Sequence, residues 1–146
     1  MAMNFSKGFY TPKNPQKYVG VGKIIYRSSW ENSFCTFCDT NPSILKWASE
    51  PMRVPYRDPL TGKQTVYVPD FFMQYVDKNN KIHTEIIEIK PQSQQILEKV
   101  GKNKNNQAMY IKNQAKWRAA DIYCRKQGIV FRILNENDLF HNGKAK

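Results

Sequence analysis

Apolar residues first recur at helical spacing after Ser28, where Trp30, Phe34, Phe37 and Cys38 define one face and Asn41-Pro42 stops the run. Ser28 and Glu31 fit the S-x-x-E capping box, in which each side chain satisfies a backbone N–H at the helix start. Ahead of this helix, residues 23–26 (KIIY) read as a short strand or edge, and residues 44–47 after it as another short turn. Three β-like runs follow: 51–57, interrupted by Pro55 and so expected near an edge, then 64–76, then 82–90. Residues 58–63 (DPLTGK) and 78–81 (KNNK) separate them with turn chemistry, which suggests an antiparallel meander.

Residues 92–106 are polar and basic with Gly101 as a breaker, and read as a loop or weak helix. A long helix is predicted over 108–126, with Ala108, Ile111, Ala115, Ala119 and Ile122 as its apolar stripe and Gly128 as its stop. Residues 129–134 (IVFRIL) form a buried-type strand, and 135–139 a terminal turn. Helix, three strands, long helix, strand is the order of an α/β layer protein with a mixed β-sheet flanked by helices. Residues 23–146 read as one domain, and residues 1–22, rich in Pro, Gly and Lys, as an extended basic arm that orders on a partner.

Charge adds a partner to this outline. The 146 residues carry 23 Lys+Arg against 12 Asp+Glu, a net charge of +11. Such a surplus attracts a polyanion and gains from counterion release, so nucleic acid is the expected partner. No apolar run is long enough to span a membrane. The N-terminal stretch lacks the apolar segment of a secretory signal, and three cysteines suggest reduced thiols in a cytosol-like compartment.

The chemistry concentrates in residues 68–91, VPDFFMQYVDKNNKIHTEIIEIKP. Residues two apart on a strand share a face, so Glu88 and Lys90 project together while Ile87 and Ile89 point into a core, and Glu85 takes the other parity. A two-residue turn at Asn79-Asn80 would set Asp70 opposite Ile89, on the wrong face. An odd-length turn or a bulge brings Asp70 beside Glu88 or Lys90. Hard Mg²⁺ or Mn²⁺ takes oxygen ligands, keeps several waters and is held by one or two carboxylates plus substrate phosphate. Asp70 and Glu88 can supply such oxygens, with the Ile89 carbonyl as a further donor. Lys90 can orient a water or stabilise developing negative charge.

Pro69-Asp70 followed by Glu88-Ile89-Lys90 resembles the PD-(D/E)xK nuclease superfamily. Most of the chain is also similar to the head-completion nucleases of contractile-tailed phages: TPKNPQKYVG at 11–20, YRSSWENSF at 26–34, VPDFF at 68–72, EIIEIKP at 85–91, NQAKWRAADIYC at 113–124 and the IVFRILNENDL ending. TnsA-like transposase endonucleases share the arrangement more loosely. The resemblance implies a restriction-endonuclease-like core that hydrolyses double-stranded DNA with a divalent metal. It further implies work at a phage portal or head–tail connector, in the host cytoplasm during assembly or on the virion. It also implies a site glutamate on the first helix, at Glu31, where the capping box offers a competing explanation. A non-catalytic DNA-binding head-completion factor, and a TnsA-like or repair nuclease acting elsewhere, are the alternative readings.

Other candidates are diffuse. Cys35 and Cys38 form C-x-x-C without a second pair, so buried thiols are expected in place of zinc. Lys112, Asn113 and Lys116 share one side of the long helix and could contact phosphate or the attacking water, or simply form a solvated flank. Gln92 and Gln94 could touch DNA, Arg27 and Arg53 are generic phosphate candidates, and Trp47 and Trp117 are expected in the core.

Overall fold

A computed structural model describes residues 7–95 and 101–139. The strands are β1 (Gly8–Tyr10), β2 (Ile24–Tyr26), β3 (Ile44–Ser49), β4 (Val54–Arg57), β5 (Gln64–Tyr67), β6 (Phe71–Val76), β7 (Ile82–Ile89) and β8 (Val130–Leu134). The helices are α1 (Ser29–Thr40), α2 (Lys104–Lys126) and α3 (Glu136–Leu139). Strands β3, β6, β7 and β8 form the central sheet in that order, antiparallel except for the parallel β7–β8 pair, which α2 connects. The expected mixed sheet flanked by helices is therefore present, but the expected meander is not. The run 64–76 breaks at Val68-Pro69-Asp70, so β5 pairs with β4 in a separate two-stranded sheet while β6 enters the central one. Residues 44–47, expected as a turn, belong instead to the edge strand β3.

The sheet is covered on both faces. Phe71, Ile87, Ile89 and Leu134 pack with Trp30, Phe34, Cys35 and Cys38 of α1 and with Trp47 in the larger core. On the other face Phe131 and Ile133 pack with Trp117 and Ala120 of α2 and with Val54, Tyr56 and Tyr67 of the small sheet. Cys35 and Cys38 are fully buried free thiols, and burial pushes Cys35 up to about 12.

Helix α2 differs from expectation in start and rotation. Asn103 caps it by accepting from the Asn106 N–H at 3.1 Å, so the helix begins well before 108. Its buried residues are Asn113, Trp117, Ala120 and Cys124, while Ile111 and Ile122 are about half exposed. The large Trp117 ring sets the inward face, and the weaker alanine-rich stripe lies along its flank. At the other end Gly128, with φ 72°, donates to the Arg125 carbonyl, and Ile129 donates to that of Cys124. That pairing is the left-handed stop expected of a glycine there.

The N-terminal arm is corrected more strongly. From residue 7 onward it is tied to the domain. Strand β1 pairs with β2, and the buried Asp39 carboxylate accepts from the Tyr10 hydroxyl at 2.6 Å and from the Lys13 and Asn14 N–H groups at 2.7 and 2.9 Å. Lys17 Nζ donates to the carbonyls of Asp39 and Asn41 at the C-terminus of α1, where a cation is favoured. Tyr18 packs edge-on to Trp47 at 4.8 Å.

Candidate active site

The β6–β7 hairpin sets the site. Its last ladder pair is Val76–Ile82, and beyond it Asp77 N–H donates to the Lys81 carbonyl at 2.9 Å. That leaves Lys78-Asn79-Asn80 as a three-residue loop. Asn80 takes φ 61°, the left-handed conformation such a loop requires and one that asparagine tolerates. Asp77 Oδ1 accepts from the Asn79 and Lys81 N–H groups and closes the turn. The odd loop sets the register Phe71 to Ile87 and Phe72 to Ile86. Asp70, one residue further, consequently stands across from Glu88 on the same face, as the register condition demands.

Asp70 is anchored at two points. Its Oδ2 accepts from the Ile89 N–H at 2.8 Å, and its carbonyl accepts from the Glu50 N–H at 2.9 Å. Glu88 is buried on the α2 face, so the charged face of β7 is covered, not solvated. Its Oε1 accepts from the Tyr67 hydroxyl at 2.6 Å. Lys116 of α2 places Nζ 5.8 Å from the centre of the Tyr67 ring. Glu85, on the opposite parity, instead accepts from the Tyr75 hydroxyl and meets Arg132.

At the start of α1, Ser28 Oγ accepts from the Glu31 N–H at 3.2 Å, which is the expected cap. The Glu31 carboxylate does not close the box on Ser28. It accepts from the Arg27 N–H at 3.3 Å instead, which leaves it facing a cavity of about 190 Å³. Asp70, Glu88, Ile89, Lys90 and Gln94 line the same cavity, with Arg27 at its wall. Arg27 also pairs with Glu50 at 2.9 Å.

The electrostatics follow from burial and crowding. Asp70 is pushed well above the usual carboxylate range by burial, then by the Glu88 and Glu31 charges. Burial also raises Glu88, against the Tyr67 donation and the nearby Lys90 and Lys116 charges. Glu31 is raised mainly by burial. Buried carboxylates this close disfavour the dianionic state, a repulsion that either a proton or a cation would relieve. The oxygen-only donor set suits a hard cation such as Mg²⁺. Among the described residues no group of three or more His, Cys, Asp or Glu side chains forms a ready-made cage. An ion that keeps waters and leans on a substrate phosphate requires none.

The TnsA-like endonuclease N-terminal family matches residues 41–136, a span that holds β3 to β8, Asp70, Glu88 and Lys90. The chain belongs to this endonuclease family. Its restriction-endonuclease-like core is therefore that of a PD-(D/E)xK-type nuclease. The chain is also 37% identical, over 142 aligned residues, to the head completion nuclease of Enterobacteria phage T4, a match that covers 90% of this chain and 92% of that one.

Within this endonuclease fold the remaining candidates scatter. Lys116 reaches the Glu88 side of the site, while Lys112 pairs with Asp58 at 3.5 Å. Asn113 is buried on the inward face of α2 and does not line the cavity. The Gln92 N–H donates to Glu136, away from the lining, whereas Gln94 is part of it. Sequence reading missed Tyr67 and the Glu50 N–H. Tyr67 belongs to a different sheet from Glu88, and no spacing rule links the two. Glu50 acts through its backbone, at φ 48°, which no residue type announces.

Proposed function

We propose that the chain is a divalent-metal-dependent DNA endonuclease that acts in completing phage heads, trimming or cutting packaged double-stranded DNA before tail attachment. One observation carries this reading: the hairpin register stands Asp70 beside Glu88, and both share a cavity with Glu31, Ile89 and Lys90. The family and the T4 relative support DNA as substrate and head completion as setting.

Asp70 and Glu88, with the Ile89 carbonyl, would hold Mg²⁺ or Mn²⁺, and Glu31 would assist the ion or its water from across the cavity; when bound the ion would supply Lewis acidity toward the phosphodiester. The Ile89 N–H fixes Asp70, so that its carboxylate is presented without reorganisation. Lys90 orients the attacking water and offsets negative charge as the water oxygen bonds to phosphorus and an ester oxygen departs with a proton. Arg27 and Lys116, with Gln94 at the cavity, grip the phosphate backbone without reading base edges, and Lys112 and Gln92 extend that grip away from the cavity. The portal or connector of a filled head is the protein partner in this reading.

Supercoiled plasmid incubated with the protein and Mg²⁺ tests it. Nicked or linear product is expected, abolished by EDTA and by Asp70→Ala or Lys90→Ala. Undiminished cleavage by these variants overturns the site assignment. Retained DNA binding with no cleavage by any form makes the protein a structural head-completion factor.

A further inference from the structure

Tyr67 lies outside both the Pro-Asp and the Glu-Ile-Lys stretches, on β5 of the small sheet. Its ring is buried among Val54, Tyr56, Trp117 and Ala120, and its hydroxyl donates to Glu88 Oε1 at 2.6 Å. Val68 and the fully buried Pro69 join it directly to Asp70. One short rigid segment thus sets the Tyr67 hydroxyl on Glu88 and delivers Asp70 beside it. A 2.6 Å O–H···O contact is in the short range of charge-assisted bonds. Glu side chains have several rotatable bonds, and a donor fixed by a packed ring removes that freedom at the carboxylate.

Resting on the metal-dependent reading above, we propose that Tyr67 is a positioning residue for Glu88. Its hydroxyl holds one carboxylate oxygen and so leaves the other to face a divalent cation shared with Asp70. Donors of this kind orient ligating carboxylates, and their loss typically weakens metal binding by roughly 10–100-fold.

Calorimetric titration with MnCl₂ of the full chain bound to a short DNA duplex with cleavage-resistant linkages, which supplies the phosphate, in the wild type, Tyr67→Phe and Glu88→Gln, tests the assignment. Tyr67→Phe keeps the ring that packs on Trp117 and faces Lys116, and removes only the hydroxyl. The expected result is a Kd for Mn²⁺ raised roughly 10–100-fold in Tyr67→Phe, with the metal-free unfolding transition still cooperative. Wild-type Mn²⁺ affinity in Tyr67→Phe, with affinity lost in Glu88→Gln, overturns the role of Tyr67 while leaving the metal reading intact. Equal Mn²⁺ binding by wild type and Glu88→Gln, or none by the wild type, overturns the metal reading and the proposal with it. Should Tyr67→Phe fail to fold, 3-fluorotyrosine at position 67 keeps the ring and alters the donor strength. A shifted Kd there supports the role, and an unchanged one overturns it.

Discussion

Asp70 accepts a hydrogen bond from the backbone N–H of Ile89 at 2.8 Å, so the residue between the two charged members of the Glu-Ile-Lys stretch orients the carboxylate across the hairpin. The bond forms at the site end of the β6–β7 pair, where each strand leaves its ladder. It uses an N–H on the strand whose neighbouring side chain, Glu88, adds its charge to the burial that first raises the Asp70 pKa. The anchoring of Asp70 and its electrostatic frustration therefore arise from the same register.

That frustration separates stability from activity. Asp70→Asn keeps an acceptor for the Ile89 N–H and removes a buried group that resists ionisation. Ionising that carboxyl is less favourable in the folded state than in the unfolded chain, so at neutral pH without metal the variant is expected to be more stable. A Tm rise of roughly 2–4 °C corresponds to about 1 kcal/mol in a chain of this size. Plasmid cleavage should fall at least ~100-fold. A lowered Tm in EDTA, measured by calorimetry, would contradict the crowding argument.

Glu31 and Ser28 perform separable tasks at the start of α1. Ser28→Ala removes the cap and should cost about 1 kcal/mol in urea unfolding. Glu31→Gln can still accept from the Arg27 N–H and should stay within about 0.5 kcal/mol of wild type. The same variant should cleave roughly 10–100-fold more slowly, because it has lost its charge at the cavity. Unchanged cleavage by Glu31→Gln would reduce this residue to a helix-start contact.

The loop that sets the register depends on a left-handed residue. Asn80→Gly should be neutral or slightly stabilising, since glycine adopts that conformation freely. Asn80→Val should cost about 1–2 kcal/mol, the penalty of forcing a β-branched residue there. Denaturant midpoints at constant m-value decide this. Equal stability of the two variants would show that the loop does not rely on the αL residue.

Acid should act on the arm through Asp39. Burial works against ionisation at Asp39, but donation from Tyr10, Lys13 and Asn14 outweighs it and holds the carboxyl below its usual range. A lowered folded-state pKa contributes stability that is present above the ordinary Asp range near pH ~4 and is lost as pH falls through the folded value. Asp39→Asn should lose roughly 2 kcal/mol at pH 7, the scale of hydrogen bonds to a charged group. The gap to wild type should narrow as the pH is lowered. A gap that stays constant down to pH ~2 would mean that packing, not the charge, holds the arm.

Local pattern alone marked the positions of α1, of the β6–β7 hairpin and of the Gly128 stop, because caps, turn residues and strand alternation act over a few neighbours. It also marked Asp70, Glu88 and Lys90 together and stated the register that would unite them. Within the chain, DKNNK carries that register, through an asparagine able to take the loop's left-handed position. What the sequence did not decide is which surfaces meet. The split of residues 64–76 between two sheets, the recruitment of 44–49 as an edge strand, the rotation of α2 toward Trp117 and the docking of the arm on Asp39 all follow from competition among distant packing partners. The Tyr67–Glu88 contact and the Glu50 N–H on the Asp70 carbonyl belong with these. Such contacts join residues far apart in the chain, and their free energy exists only once both cores have closed.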